Sequence, residues 1–288
     1  MRGTIAVVDS FTRDGLRFDV TDHDPGPIDG GPPVLLLHGF PQTAISWEPV
    51  ARRLAGAGHR VLAPDQRGYS PGARPAARRD YRIEELVADV AALIDAAGGE
   101  PVHVVGHDWG AIVAWALAAL DPARVRTVTG VSVPHPAAFF RAMRSSRQAL
   151  LSWYTYVFQV PGLADRYLSR PGALAAALRR TGQTPQRARR DEAALAARGG
   201  LRPALSGGMG WYRAVPHWEH RGLPVPVEVP ALMVGSDGDS AVSLEAVHGN
   251  GAWMRGPYRL EVLPGVSHWI PDEVPDRLAD LVLEHVVG

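Results

Sequence analysis

No cysteine occurs among the 288 residues, so disulfides, thiolate metal ligands and a cysteine nucleophile are all excluded. Lysine is absent as well: every basic residue is arginine, and the 30 arginines balance 30 acidic residues for a formal net charge of zero. A chain without basic excess has no nucleic-acid footprint, and no nucleic-acid partner is expected. No apolar run approaches the ~20 residues needed to cross a bilayer. Met1 to Ser10 lack the longer apolar core of a signal peptide. The expectation is a cytoplasmic protein, monomeric or homodimeric, with no membrane partner.

What is present is an alternation of strand-like and helix-like segments, the pattern of a parallel sheet with crossover helices. Strands are expected at Val34 to His38, Val61 to Pro64, Val102 to Val105, Val125 to Val133, Val227 to Gly235 and Tyr258 to Leu263. Helices are expected at Trp47 to Ala57, Ile83 to Ala97, Ala111 to Leu120 and Asp276 to Val286. The alternation breaks from about Pro134 to Pro216, where aromatic clusters and Arg-rich helical stretches take over. This predicts one α/β core, 1–135 and 217–288, interrupted by a helical cap over 136–216. Arg179, Arg180, Arg187, Arg189, Arg190 and Arg198 read as a solvated helix face, because Asp191 and Glu192 interrupt the run.

Gly106-His107-Asp108-Trp109-Gly110 lies between the third of these strands and an apolar helix. It matches the strand-to-helix elbow G-x-S-x-G, with aspartate where serine usually stands. A carboxylate attacking an acyl carbon forms an anhydride, no easier to cleave than the substrate, whereas attack on saturated carbon gives an ordinary ester. The expected substrates are therefore epoxides or alkyl halides, and an esterase or lactonase would need serine at position 108. The simpler alternative is that Asp108 only caps the following helix.

An alkyl ester on Asp108 needs a base to activate water, and that base needs an acid to hold its tautomer. His268, in Gly265-Val266-Ser267-His268-Trp269, supplies the base. Gly235-Ser236-Asp237-Gly238-Asp239-Ser240 offers two acids; Asp239 is favoured, since Asp237 beside Gly238 is suited to making the turn. The oxyanion formed during ester hydrolysis requires preorganised donors. These are expected from the backbone N–H groups of Trp109 and of Phe40, in His38-Gly39-Phe40-Pro41.

Together with Asp65-Gln66-Arg67-Gly68-Tyr69-Ser70, these motifs identify a resemblance over nearly the whole chain: it resembles the soluble epoxide hydrolases of the α/β-hydrolase superfamily. The resemblance implies the α/β-hydrolase fold, a mostly parallel sheet with helices on both faces and an inserted helical cap. It also implies conversion of an epoxide to a vicinal diol without metal or organic cofactor. Two cap tyrosines that hydrogen-bond the epoxide oxygen are placed by it at Tyr154 and Tyr212, with Tyr156 the rival of Tyr154.

His38, Phe40, Trp109, Trp153, Trp211 and Trp269 are expected around the substrate. Trp153, Tyr156, Phe158, Met209 and Trp211 point to an apolar or aromatic epoxide. The neighbouring family is haloalkane dehalogenase, which often holds halide with an Asn where this chain has Phe40. A non-catalytic ligand receptor on the same fold is the alternative of a different class.

Overall fold

A computed structural model describes residues 7–24 and 31–287. The leader reading at Met1 to Ser10 therefore falls largely outside the described residues. Among the described residues eight strands are present: β1 (Ser10–Arg13), β2 (Leu16–His23), β3 (Val34–Leu37), β4 (Val61–Pro64), β5 (Val102–His107), β6 (Val125–Val131), β7 (Ala231–Ser236) and β8 (Tyr258–Leu263). They form one sheet in the order β1-β2-β4-β3-β5-β6-β7-β8, parallel from β4 to β8 and antiparallel at the β1/β2 edge.

Side chains alternate across a strand, and the central strands are apolar on both faces, as expected where helices cover both sides. Leu35, Leu37, Val102 and Val104 enter one apolar cluster with α2 (Ile83–Ala96) and α3 (Trp109–Leu120). Val34, Leu36 and Val105 enter the other with α1 (Glu48–Gly56) and the carboxyl-terminal helix (Pro275–Val287). The fold is the α/β-hydrolase fold.

Three elements differ from the sequence reading. The strand expected at Val227 begins only at Ala231. Pro226 and Pro230 bracket its first part and offer no N–H to a ladder, and Val227 makes only an isolated bridge with Met254. The strand expected to reach Val133 stops at Val131, because Ser132 turns to φ +66°. The β1/β2 hairpin was not foreseen, although its Asp14-Gly15 turn, with φ of +50° and +77°, is the two-residue chemistry such hairpins prefer.

Between β6 and β7 the chain makes seven helices: α4 (Pro136–Ser145), α5 (Gln148–Leu151), α6 (Tyr154–Phe158), α7 (Leu163–Leu168), α8 (Ala173–Arg180), α9 (Pro185–Ala197) and α10 (Leu201–Ala214). This helical layer is fastened to the sheet domain by buried polar contacts. Gln42 Nε2 donates to Asp191 and to Asp272, both at 2.7 Å. Arg190 bridges the same two carboxylates at 2.6 and 2.8 Å. Arg198 pairs with buried Asp65. Arg190 and Arg198 are thus not part of a solvated face; the neighbouring Asp191 is what draws the first of them inward.

Along α10 the fastening is by close approach. A Cβ on Gly207 would lie 2.3 Å from the Gly68 carbonyl oxygen, and one on Gly68 would lie 2.6 Å from the Gly207 carbonyl carbon. Backbone cannot yield as a flexible side chain can, so Gly207→Ala should destabilise the fold by about 1–3 kcal/mol. Urea denaturation checks this as a lowered midpoint at unchanged slope.

Candidate active site

Asp108 stands at the carboxyl end of β5, at φ +54° and ψ −120°. Such a backbone costs a non-glycine residue roughly 1–3 kcal/mol, and the glycines around it explain how it is held. A Cβ on Gly106 would meet the Gly110 carbonyl oxygen at 2.1 Å, and one on Gly110 the Leu37 carbonyl oxygen at 2.0 Å. Gly39 faces the carboxylate itself, its missing Cβ falling 2.4 Å from Asp108 Oδ1. The helix-cap alternative fails, since the Asp108 side chain makes no hydrogen bond to cap α3.

One oxygen of the carboxylate, Oδ1, accepts the Phe40 N–H at 2.8 Å. The Trp109 N–H, next along the chain, adds to the local field that favours the ionised carboxylate. The other oxygen, Oδ2, lies 3.5 Å from His268 Nε2. His268 Nδ1 in turn donates to Asp239 Oδ2 at 2.7 Å. Asp239 is fixed by accepting the N–H groups of Ala241 and Val242 on its other oxygen, at 2.7 and 3.0 Å. Asp237 instead accepts Gly265 N–H at 2.5 Å and stands away from the imidazole.

The electrostatics follow from a buried imidazole between two buried carboxylates. Burial alone would lower the His268 pKa, but Asp239 and Asp108 outweigh it and raise the value to about 10. Burial likewise opposes ionisation of Asp108, yet His268 and the backbone donors hold its pKa below the ordinary carboxylate value. His107 is driven the other way, to about 4, by burial and by the His268 charge. It is a neutral donor, and its Nε2–H meets the His268 carbonyl at 2.9 Å. Ser132 Oγ donates to the same carbonyl at 2.8 Å. These two contacts hold the backbone of the His268 loop, and neither was anticipated.

A cavity of about 150 Å³ opens in front of Asp108 and His268, beneath the helical layer. Its walls are mostly apolar: Ile112, Phe139, Phe140, Met143, Val215 and Trp218 contribute, with Ser152, Thr155 and Gln159 as polar lining. Tyr154 and Tyr212 both line it, with their ring centroids 6.3 Å apart. Burial first, then the Asp108 charge, raises both phenols well above their ordinary pKa, so both are proton donors at neutral pH. Tyr156, the rival of Tyr154, is 65% exposed.

The remaining expectations divide. Trp109 lines the cavity, and the Phe40 ring packs edge-on against Phe158 and Tyr212 behind it. His38 does not reach the cavity: it is fully buried, accepting Gln66 N–H at Nε2 and packing on Tyr69. Trp211 is buried with its indole donating to the Arg67 carbonyl, and Trp269 donates to the Thr181 carbonyl. Trp153 is 64% exposed. None of Trp153, Tyr156, Phe158, Met209 and Trp211 lines the cavity.

Its apolar wall comes from α4 and the segment after α10. The amphipathic sequence Pro136-Ala137-Ala138-Phe139-Phe140-Arg141-Ala142-Met143 signalled an apolar face there, without saying that the face borders a cavity. Among the described residues, no group of three or more His, Asp or Glu side chains is arranged to hold a metal ion.

The family model for the alpha/beta hydrolase fold matches residues 32–275. The chain is 33% identical to Epoxide hydrolase A of Mycobacterium tuberculosis, over 90% of this chain and 91% of that one. The crystal structure of Epoxide Hydrolase A from Mycobacterium thermoresistibile superposes with a TM-score of 0.80 at 30% identity, covering 99% of each chain. An epoxide hydrolase from an endophytic Streptomyces gives 0.78 at 30% identity, covering 98% of this chain and 95% of that one.

The raised His268 pKa makes stability depend on pH. Between about 6.5, its value in the unfolded chain, and about 10, the folded state holds a proton that the unfolded state has lost. The stabilisation is therefore fully present below pH 6.5 and is lost as pH rises towards 10. Denaturant titrations across this window should show wild type losing stability relative to His268→Gln, with the two curves converging at the alkaline end.

Proposed function

The chain belongs to the α/β-hydrolase family and, within it, to the epoxide hydrolases, and on that premise we propose that it converts an epoxide to a vicinal diol through a covalent ester on Asp108. The observation that carries the proposal is the carboxylate at the elbow: one oxygen occupied by the Phe40 N–H, the other beside an imidazole, and the whole group facing an apolar cavity.

In this reading Asp108 Oδ2 attacks a ring carbon from behind, and the carbon–oxygen bond breaks with its electron pair on the epoxide oxygen. Tyr154 and Tyr212, kept protonated by burial and by Asp108, donate to that oxygen and supply its proton. Two neutral donors suit this step, because an alkoxide needs an acid that does not ionise before the ring opens. The product is a hydroxyalkyl ester.

Ester formation removes one of the two negative charges that keep His268 protonated. Its proton is then released to restore the tyrosine, and the neutral imidazole, oriented by Asp239, takes a proton from water. The hydroxide adds to Asp108 Cγ. The N–H groups of Phe40 and Trp109 stabilise the charge on Oδ1. Collapse breaks the Cγ–Oδ2 bond, and the leaving alkoxide takes the proton of the added hydroxyl, so the diol departs with Oδ2 while Asp108 regains a carboxylate that contains the water oxygen and His268 keeps the proton it took from water. The helical layer over 136–216 serves as the cap carrying both tyrosines, and the apolar wall favours an apolar or aromatic epoxide.

Dehalogenation is disfavoured by the same residues. Phe40 has no side-chain donor, the Trp109 ring packs edge-on against Tyr212, and the Trp218 indole nitrogen is buried.

With aryl and alkyl epoxides offered beside 1-haloalkanes, wild type should form diol and Asp108→Asn none; halide without diol would overturn the reading. His268→Gln should open the ring and stall, so that intact-mass analysis shows the protein heavier by one substrate. Tyr154→Phe and Tyr212→Phe should each lower turnover by about 10²-fold or more, measured as initial rates of diol formation.

A further inference from the structure

Charge is divided unevenly along this neutral chain. The segment 136–216 holds thirteen arginines and three carboxylates, a formal excess of ten positive charges, and the remainder carries ten negative charges. Regional charge of this size is invisible in the net value. Arg141, Arg144, Arg147, Arg166 and Arg170 are exposed, and none of them makes an ion pair with a described residue.

The exposed large apolar side chains gather in the same segment. Of nine among the described residues, six are Leu150, Trp153, Tyr156, Val160, Leu163 and Tyr167. They recur every three or four residues through the short helices α5, α6 and α7 and the turns between them. Arg166 lies within the stripe, and Arg170 sits over the Tyr167 ring at 5.5 Å. Single exposed apolar residues are ordinary, but an aromatic-aliphatic stripe rimmed by unpaired arginines marks a contact surface.

We propose that this face of the helical layer docks on an anionic phospholipid surface, with the apolar stripe entering the headgroup boundary and the arginines meeting the phosphates. Tryptophan and tyrosine beside leucine and valine, flanked by basic residues, is the composition of interfacial rather than spanning segments. No described helix is long and apolar enough to cross a membrane. A second copy seated on the same face would bring one cationic surface against another, which argues against symmetric self-association.

The stripe's reverse side contributes Ser152, Tyr154, Thr155 and Gln159 to the cavity. Resting on the epoxide reading, docking would place the cover of the active site against the phase into which an apolar epoxide partitions. The expectation of no membrane partner, drawn from the lack of long apolar runs, concerns spanning segments; the docking proposed is a surface contact.

Co-sedimentation with phosphatidylglycerol vesicles and with phosphatidylcholine vesicles tests the docking without reference to catalysis. Binding should be confined to the anionic vesicles and should weaken with salt. Arg166→Glu/Arg170→Glu should weaken it by at least about thirtyfold. Leu150→Ser/Leu163→Ser/Tyr167→Ser should also weaken it, and both variants should retain wild-type turnover of a water-soluble epoxide. Three results would overturn the proposal: equal binding to both vesicles, no binding at low salt, or concentration-dependent self-association in sedimentation velocity that the triple variant abolishes. An inactive wild type that still binds anionic vesicles would reject the epoxide reading and leave the docking intact.

Discussion

A buried imidazolium held between two buried carboxylates is the interaction on which the rest of this site depends. A charged histidine would be prohibitively costly at 4% exposure were Asp108 and Asp239 not both within contact. The arrangement is conditional, since it requires the charge on Asp108. In the proposed mechanism, esterification of that carboxylate would withdraw half of the support and turn a resting acid into a base, so that one set of distances would serve ring opening and ester hydrolysis in turn. The elbow backbone, the missing side chains at Gly39, Gly106 and Gly110, and the paired donors on the His268 carbonyl all keep these three groups in register.

The second requirement is a dry, correctly placed roof. Tyr154 and Tyr212 stand on different helices of the layer, and their positions relative to Asp108 are only as fixed as the layer itself. Gln42 and Arg190 joining Asp191 to Asp272, the Arg198–Asp65 pair, and the contact of α10 with Gly68 provide that fixity. The two tyrosines then close against Trp109 and Phe158 by edge-on ring contacts. Buried ion pairs of this kind contribute geometry more than net stability, because desolvation offsets much of their attraction.

The parts of the molecule that were readable in the sequence are those carried by local chemistry. The elbow is legible because its glycines, its carboxylate and its strand-helix context lie within about twenty residues. Asp239 could be preferred over Asp237 because an Asp-Gly pair has turn chemistry of its own; in the fold Asp237 accepts the N–H of Gly265, on the loop that leads to His268. Tyr154 and Tyr212 were reachable only through family resemblance, since an aromatic residue in a helical segment is equally a core residue.

What could not be read was which face of a helix turns to the cavity. Trp153 and Tyr156 look like lining and are solvent-exposed, Trp211 looks like lining and is spent on the Arg67 carbonyl, while Phe139, Phe140 and Trp218 do the lining. The same limit hid Arg190 and Arg198, whose partners Asp272 and Asp65 lie far away in sequence. Orientation of this kind is a property of tertiary packing, and no window of local sequence contains it.

The decisive measurement is a single turnover with enzyme in excess over epoxide in ¹⁸O-labelled water, followed by mass analysis of the diol and of the peptide bearing Asp108. A covalent ester hydrolysed at Cγ places the label in the Asp108 carboxylate and leaves the first diol unlabelled. Label in the first diol, with an unlabelled Asp108 peptide, would mean that water attacks the epoxide directly and that Asp108 is not the nucleophile.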